Sequence, residues 1–186
     1  PRIDLKPNPL YETEELAYFK THYYGGIKKY QWATIPLALH GRIMTADGKA
    51  IDLDFGEKEG DPVLVITDLL PHLGRSQGER KLSEGIKGEE LNVLLGSLPV
   101  EDTEVKEAFK LKILSILHDQ YGITEKDFMR SELTLVPAQK AVDVGLDSSM
   151  VGAYGQDDKV CAYTALMAEL ESKNPEYTSL TALVDK

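Results

Sequence analysis

Cysteine is almost absent from this sequence: Cys161 stands alone. One thiol excludes an internal disulfide and a cysteine zinc cluster. Positive charge is also scarce. Lys and Arg number 21 against 31 Asp and Glu, for a formal net charge of −10. Such a surface repels phosphate backbones and anionic headgroups, so neither nucleic acid nor a membrane surface is expected as a partner. No apolar run approaches the roughly 18 residues of a membrane-spanning helix. No signal-peptide pattern opens the sequence. P-loop, Gly-x-Gly-x-x-Gly, His-Glu-x-x-His and Gly-x-Ser-x-Gly motifs are missing as well. The expected home is soluble, reducing and cytoplasmic.

What remains is ample for a fold. Of the 186 residues, 42% are hydrophobic and 28% charged, which argues against disorder and for a core that needs no disulfide. Residues 2–6 alternate apolar and charged as a half-buried strand does, and Pro7 and Pro9 are expected to end it. Residues 15–24 and 29–44 are rich in aromatic and branched side chains and read as further strands. Asp47-Gly48 between two alternating runs predicts a hairpin. Residues 62–67 and 91–99 read as short buried strands, and the Gly- and charge-rich stretch 73–90 between them as a long polar loop. Val105, Phe109, Ile113, Ile116 and Leu117 form one stripe, predicting a helix over 103–121 with Asp102 or Thr103 as its cap and Gly122 past its end. Thr124 opens a second, short helix through Phe128, and residues 132–137 and 141–145 return to strand-like alternation. A last helix is expected over 158–172, then an apolar strand over 177–184. The fold class expected is a mainly β, barrel-like domain with one long and one short helix, followed by a short α/β segment.

The four histidines are scattered, so no metal site follows from their spacing. His118 in the amphipathic helix and His40 in a strand read as structural, while His22 is undecided. His72 follows Leu70-Pro71 at a strand-to-loop junction, where functional groups concentrate. The most pointed feature is Gly155-Gln156-Asp157-Asp158, two adjacent carboxylates before a helix. Helix capping accounts for them, because free backbone N–H groups favour an Asp there. So does metal ligation, since a cation needs oxygen donors on a rigid element end. Composition and spacing leave both open.

Four stretches resemble the aspartyl aminopeptidase / aminopeptidase I family of dinuclear zinc exopeptidases. They are Pro1-Arg2-Ile3-Asp4-Leu5-Lys6-Pro7; Tyr24-Gly25-Gly26 with Trp32; Ile66-Thr67-Asp68-Leu69-Leu70-Pro71-His72-Leu73; and Asp143 to Asp147 with Gly152 to Cys161. The resemblance spans the sequence in order, and the segment Gly26-Ile27-Lys28-Lys29-Tyr30-Gln31-Trp32 is nearer the bacterial aminopeptidase I branch. It implies that Asp157 is the aspartate bridging two zinc ions, joined to Asp158 by a cis peptide. His72 is implied to be a lid histidine that reaches a neighbouring subunit's active site and contacts the substrate carbonyl, where a donor stabilises an oxyanion.

The same resemblance implies a β-rich lid and dimerisation domain over 5–142, inserted between catalytic-domain segments 1–4 and 143–186. The zinc-binding His would precede Pro1 and the catalytic Glu-Glu pair would follow Lys186, so these 186 residues alone are expected to be inactive and to retain no tight zinc. In the full-length enzyme the partners implied are a peptide substrate and further copies of the same chain, in a dimer-based homo-oligomer. A different class of function is a non-catalytic β-rich assembly module with no metal site of its own.

Overall fold

The computed structural model describes residues 2–102 and 104–184. The chain falls into two compact units, 1–139 and 140–186.

The first unit is built on an antiparallel sheet. β1 (Arg2–Thr13) and β2 (Leu16–Tyr24) form a hairpin whose two turn residues, Glu14 and Glu15, both have positive φ (49° and 63°). That is the primed-turn geometry that matches strand twist, here without the usual glycine. Pro7 and Pro9 do not end β1 as expected. They lie where the pairing register breaks between Leu5 and Leu10, with Asn8 at φ 51°, and the ladder resumes at Leu10 opposite Phe19. A bulge leaves ladder positions unpaired, so residues without an N–H are tolerated inside it.

β3 (Leu37–Met44) and β4 (Ala50–Phe55) are the hairpin read from Asp47-Gly48, closed by a bond from Thr45 N to the Lys49 carbonyl at 2.9 Å. With β5 (Val93–Gly96) and β6 (Ser131–Pro137), the sheet order is β4-β3-β6-β1-β2-β5. Residues 64–66 are a bridge rather than a strand of their own. Leu64 exchanges backbone bonds with Leu37 (2.8 and 3.0 Å), and Leu94 N donates to the Val65 carbonyl (2.9 Å). This bridge ties β3 to β5 and curls the sheet around Phe19, Leu37, Ile66, Val93, Phe128 and Leu135, all nearly inaccessible.

The polar stretch 73–90 holds three short helical turns: α1 (Arg75–Gly78) and 3-10 turns over Leu82–Glu84 and Gly88–Glu90. α2 (Ala108–Tyr121) starts later than the stripe predicts. Its free N–H groups at Phe109 and Lys110 both donate to Glu12 Oε2 (2.9 and 2.8 Å). A carboxylate from β1 therefore caps the helix, in place of Asp102, whose Oδ1 takes the Glu104 N–H; Thr103 lies outside the described residues. Gly122 ends α2 in the left-handed conformation, as read. The turn after Thr124 is a 3-10 helix, Glu125–Arg130.

The second unit holds the hairpin of β7 (Val142–Val144) with β8 (Met150–Gly152), and α3 (Gln156–Glu171). The strand expected over 177–184 does not form among the described residues, and Tyr177, Leu180, Leu183 and Val184 are exposed. Apolar composition does not make a strand without a neighbour to pair its backbone.

Candidate functional site

Two places carry the residues singled out by sequence. The first is the start of α3. The β7–β8 hairpin turns at Gly145 and at Asp147, whose carboxyl is held below its ordinary range by hydrogen bonds from Ser149. Gly155, at φ 80°, then reverses the chain into α3, and Gln156 Nε2 donates back to the Val151 carbonyl at 2.9 Å. Asp157 is non-helical (φ −92°, ψ 110°), and its peptide bond to Asp158 is cis, as the resemblance implies.

This geometry bears on the two readings of the carboxylate pair. The capping position belongs to Gly155, and among the described residues neither Asp157 nor Asp158 caps α3. Asp158 instead meets the Cys161 thiol, which its negative charge and hydrogen bond push up. Asp157 is exposed, and its carboxylate takes no hydrogen bond among the described residues. Its oxygens are hard donors suited to a cation. Near Asp157 the described residues assemble no group of three metal-ligating side chains. The donor type fits zinc; the set of about four ligands that zinc takes is not complete within these residues.

The second place is the loop after the sheet bridge. His72 is exposed on a turn closed by the Leu70 carbonyl, which accepts the N–H groups of Leu73 (2.9 Å) and Gly74 (2.8 Å). Leu69, Leu70 and Leu73 beside it in sequence are more than half exposed. His72 lies in the first unit and Asp157 in the second.

His118 is exposed in the last turn of α2, where its backbone carbonyl accepts the Gly122 N–H. His22 is exposed on β2, opposite Asp4. His40, read as structural, has acidic partners that sequence reading missed. Its Nδ1 is 3.5 Å from Asp54 and its Nε2 3.4 Å from Glu57. One donor from each of these three lies within 4.8 Å of the others. The signal was the hairpin register, which pairs His40 with Asp54. Each ring nitrogen faces a different carboxylate, and Lys58 Nζ stands 3.6 Å from Asp54.

Comparison with known proteins agrees with the resemblance. Residues 1–186 match the family described as aminopeptidase I zinc metalloprotease (M18). A probable M18 family aminopeptidase 1 of Clostridium acetobutylicum is 54% identical over 186 residues, and one of Thermotoga maritima is 52% identical. Each alignment takes in the whole of this chain but only 40% of the relative's length. Among solved structures, the M18 aminopeptidase of Thermotoga maritima superposes with a TM-score of 0.87 at 53% identity, covering 94% of this chain and 38% of that one. Aminopeptidase I of Clostridium acetobutylicum gives 0.84 at 50% identity over 93% and 38%. A match that takes in every residue, at this identity and with the same mostly β fold, makes the chain a member of the M18 aminopeptidase I zinc metalloprotease family.

Proposed function

We propose that this chain is part of a zinc-dependent aminopeptidase that removes N-terminal residues from peptides. In this reading residues 5–142 are the lid and dimerisation domain, and 1–4 and 143–186 belong to the catalytic domain. Asp157 would hold the zinc through its carboxylate oxygens. The observation that carries the reading is that Asp157 sits at a helix start without capping it, its carboxylate exposed. The remaining ligands belong to the part of the full-length relatives that this chain does not span. Bound zinc supplies Lewis-acid polarisation of the scissile carbonyl and an activated water. His72 donates an imidazole N–H to the substrate carbonyl oxygen in a neighbouring subunit, where charge develops in the transition state.

The exposed leucines beside His72 in sequence support self-association through the same loop. A cytoplasmic location is proposed with the rest, from the scarcity of cysteine.

The test is Asp157→Ala in the full-length protein, with metal content and hydrolysis of amino-acid anilides as readouts. Loss of stoichiometric zinc together with activity is expected. Two retained zinc ions and full activity would sink the assignment. The 186 residues alone are expected to associate in the ultracentrifuge without tight zinc and without peptidase activity. Turnover by this piece would overturn the division of labour.

A further inference from the structure

The loop that presents His72 is exposed, yet an imidazole that donates to a developing oxyanion must be held in place before the substrate arrives. The structure shows what is available to hold it. On one side the chain is bonded into the sheet, where the Ile66 carbonyl accepts the Thr34 N–H at 2.8 Å. On the other side Arg80 Nη1 is tied to Glu90, 3.0 Å from each carboxylate oxygen. Between these anchors, two side-chain hydrogen bonds are made among the described residues, and both end on one atom. Asp68 Oδ1 accepts the Leu69 N–H at 2.8 Å and, from across the loop, Gln77 Nε2 at 2.8 Å. The second bond joins residue 68 to residue 77 and closes the stem of the turn whose tip is His72. Leu70, Gly74 and Gly78 continue the closure through backbone bonds of 2.8 and 2.9 Å.

We propose that Asp68 and Gln77 form a clasp that positions His72 for its contact with substrate, so both are positioning residues for the peptidase reaction. The inference rests on the reading of His72 given above. Neither side chain need touch substrate: the clasp acts by removing loop conformations in which the imidazole points elsewhere, a cost otherwise met at each turnover. Both bonds lie at an exposed site, where water competes for the same donors and acceptor. Opening the clasp therefore costs a modest factor, well below that of removing the imidazole.

The experiment is a double-mutant cycle in the full-length enzyme, read as separate kcat and KM values. His72→Ala is expected to lower kcat about 100-fold. Gln77→Ala and Asp68→Ala are each expected to lower kcat about fivefold, with KM within about twofold. Asp68→Asn keeps an oxygen that accepts both bonds and should restore most of the loss. In the His72→Ala background, Gln77→Ala should have almost no further effect, because there is no imidazole left to position.

A Gln77→Ala loss that persists in that background would show a general structural role and overturn the clasp. So would wild-type kcat in both Gln77→Ala and Asp68→Ala while His72→Ala is impaired; in that case the reading of His72 survives. Wild-type activity of His72→Ala would overturn that reading and the clasp with it.

Discussion

The two units of this chain obey the same sequence rules with opposite results. In residues 1–139 the apolar pattern closes on itself: strand and helix faces meet around Phe19, Phe128 and Leu135, and the side chains become inaccessible. In residues 140–184 the periodicity is just as clear, yet no described residue is buried. Val160, Tyr163, Leu166 and Leu170 lie along α3 and are all exposed. A helical stripe encodes a face to be covered, and the cover need not be in the same segment. The first unit carries its own hydrophobic free energy. On the reading proposed above, the exposed face of α3 is covered in the full-length protein; the chain spans 40% of the length of the Clostridium acetobutylicum relative.

The comparison breaks first on function. Asp157→Ala in the full-length protein should lower kcat/KM by about 10⁴-fold, roughly 5.5 kcal/mol of transition-state stabilisation. It should leave the folding of the 186-residue chain unchanged, because Asp157 contributes no hydrogen bond to it among the described residues. Gly41→Ala should do the reverse. Gly41 has φ 140°, and an added Cβ would lie 1.9 Å from the backbone oxygen of Glu132 on the paired strand β6. Neither backbone can yield without breaking the β3–β6 ladder, so a loss of at least about 4 kcal/mol is expected, measured by urea unfolding.

Packing sharpens the contrast further. Phe128 sits edge-on to Phe19 with ring centroids 5.5 Å apart. Phe128→Ala should cost about 3 kcal/mol in the 186-residue chain. Leu170→Ala should cost less than about 0.5 kcal/mol there, where the side chain is exposed. In the full-length protein it should cost about 2 kcal/mol if α3 is covered as proposed. Equal effects of Leu170→Ala in both settings would mean that its face stays open.

What could be read from sequence follows the same division. Features set by local chemistry came through: the Asp47-Gly48 hairpin, the Gly122 stop of α2, and the helix expected over 158–172, seen as α3. Features set by distant partners did not. Pro7 and Pro9 read as strand terminators because the ladder with β2 that resumes at Leu10 is a tertiary fact. The start of α2 is decided by Glu12, on a different strand. Residues 177–184 have a strand's composition without a strand's neighbour. At the candidate site, Asp157 and His72 stood out by resemblance to a family motif, whereas the bond between Gln77 and Asp68 is a tertiary fact that neither residue type nor spacing marks.

A small, pH-dependent effect separates the two aspartates that each sit near a helix start. Asp127 is buried in the first unit, and its Oδ2 accepts the Thr124 hydroxyl and the Thr124 N–H at 2.6 and 2.9 Å. Those bonds favour the charged form and hold its carboxyl below the ordinary carboxylate range, with the side-chain bond the larger cause. A lowered folded value means that the unfolded chain takes up a proton first as the solution is acidified. The stabilisation is therefore complete above the unfolded value of about 3.9 and is lost as pH falls through the folded one. Asp127→Ala should cost about 1 kcal/mol at pH 7, typical of a lost cap. The gap from the unaltered chain should narrow below about pH 4 and close once Asp127 is protonated in the folded state. Asp157→Ala, measured alongside in the same chain, should show no such gap at pH 7, because Asp157 closes no turn and caps no helix. A gap at pH 7 as large as that of Asp127→Ala would mean that Asp157 serves the fold of its own segment after all.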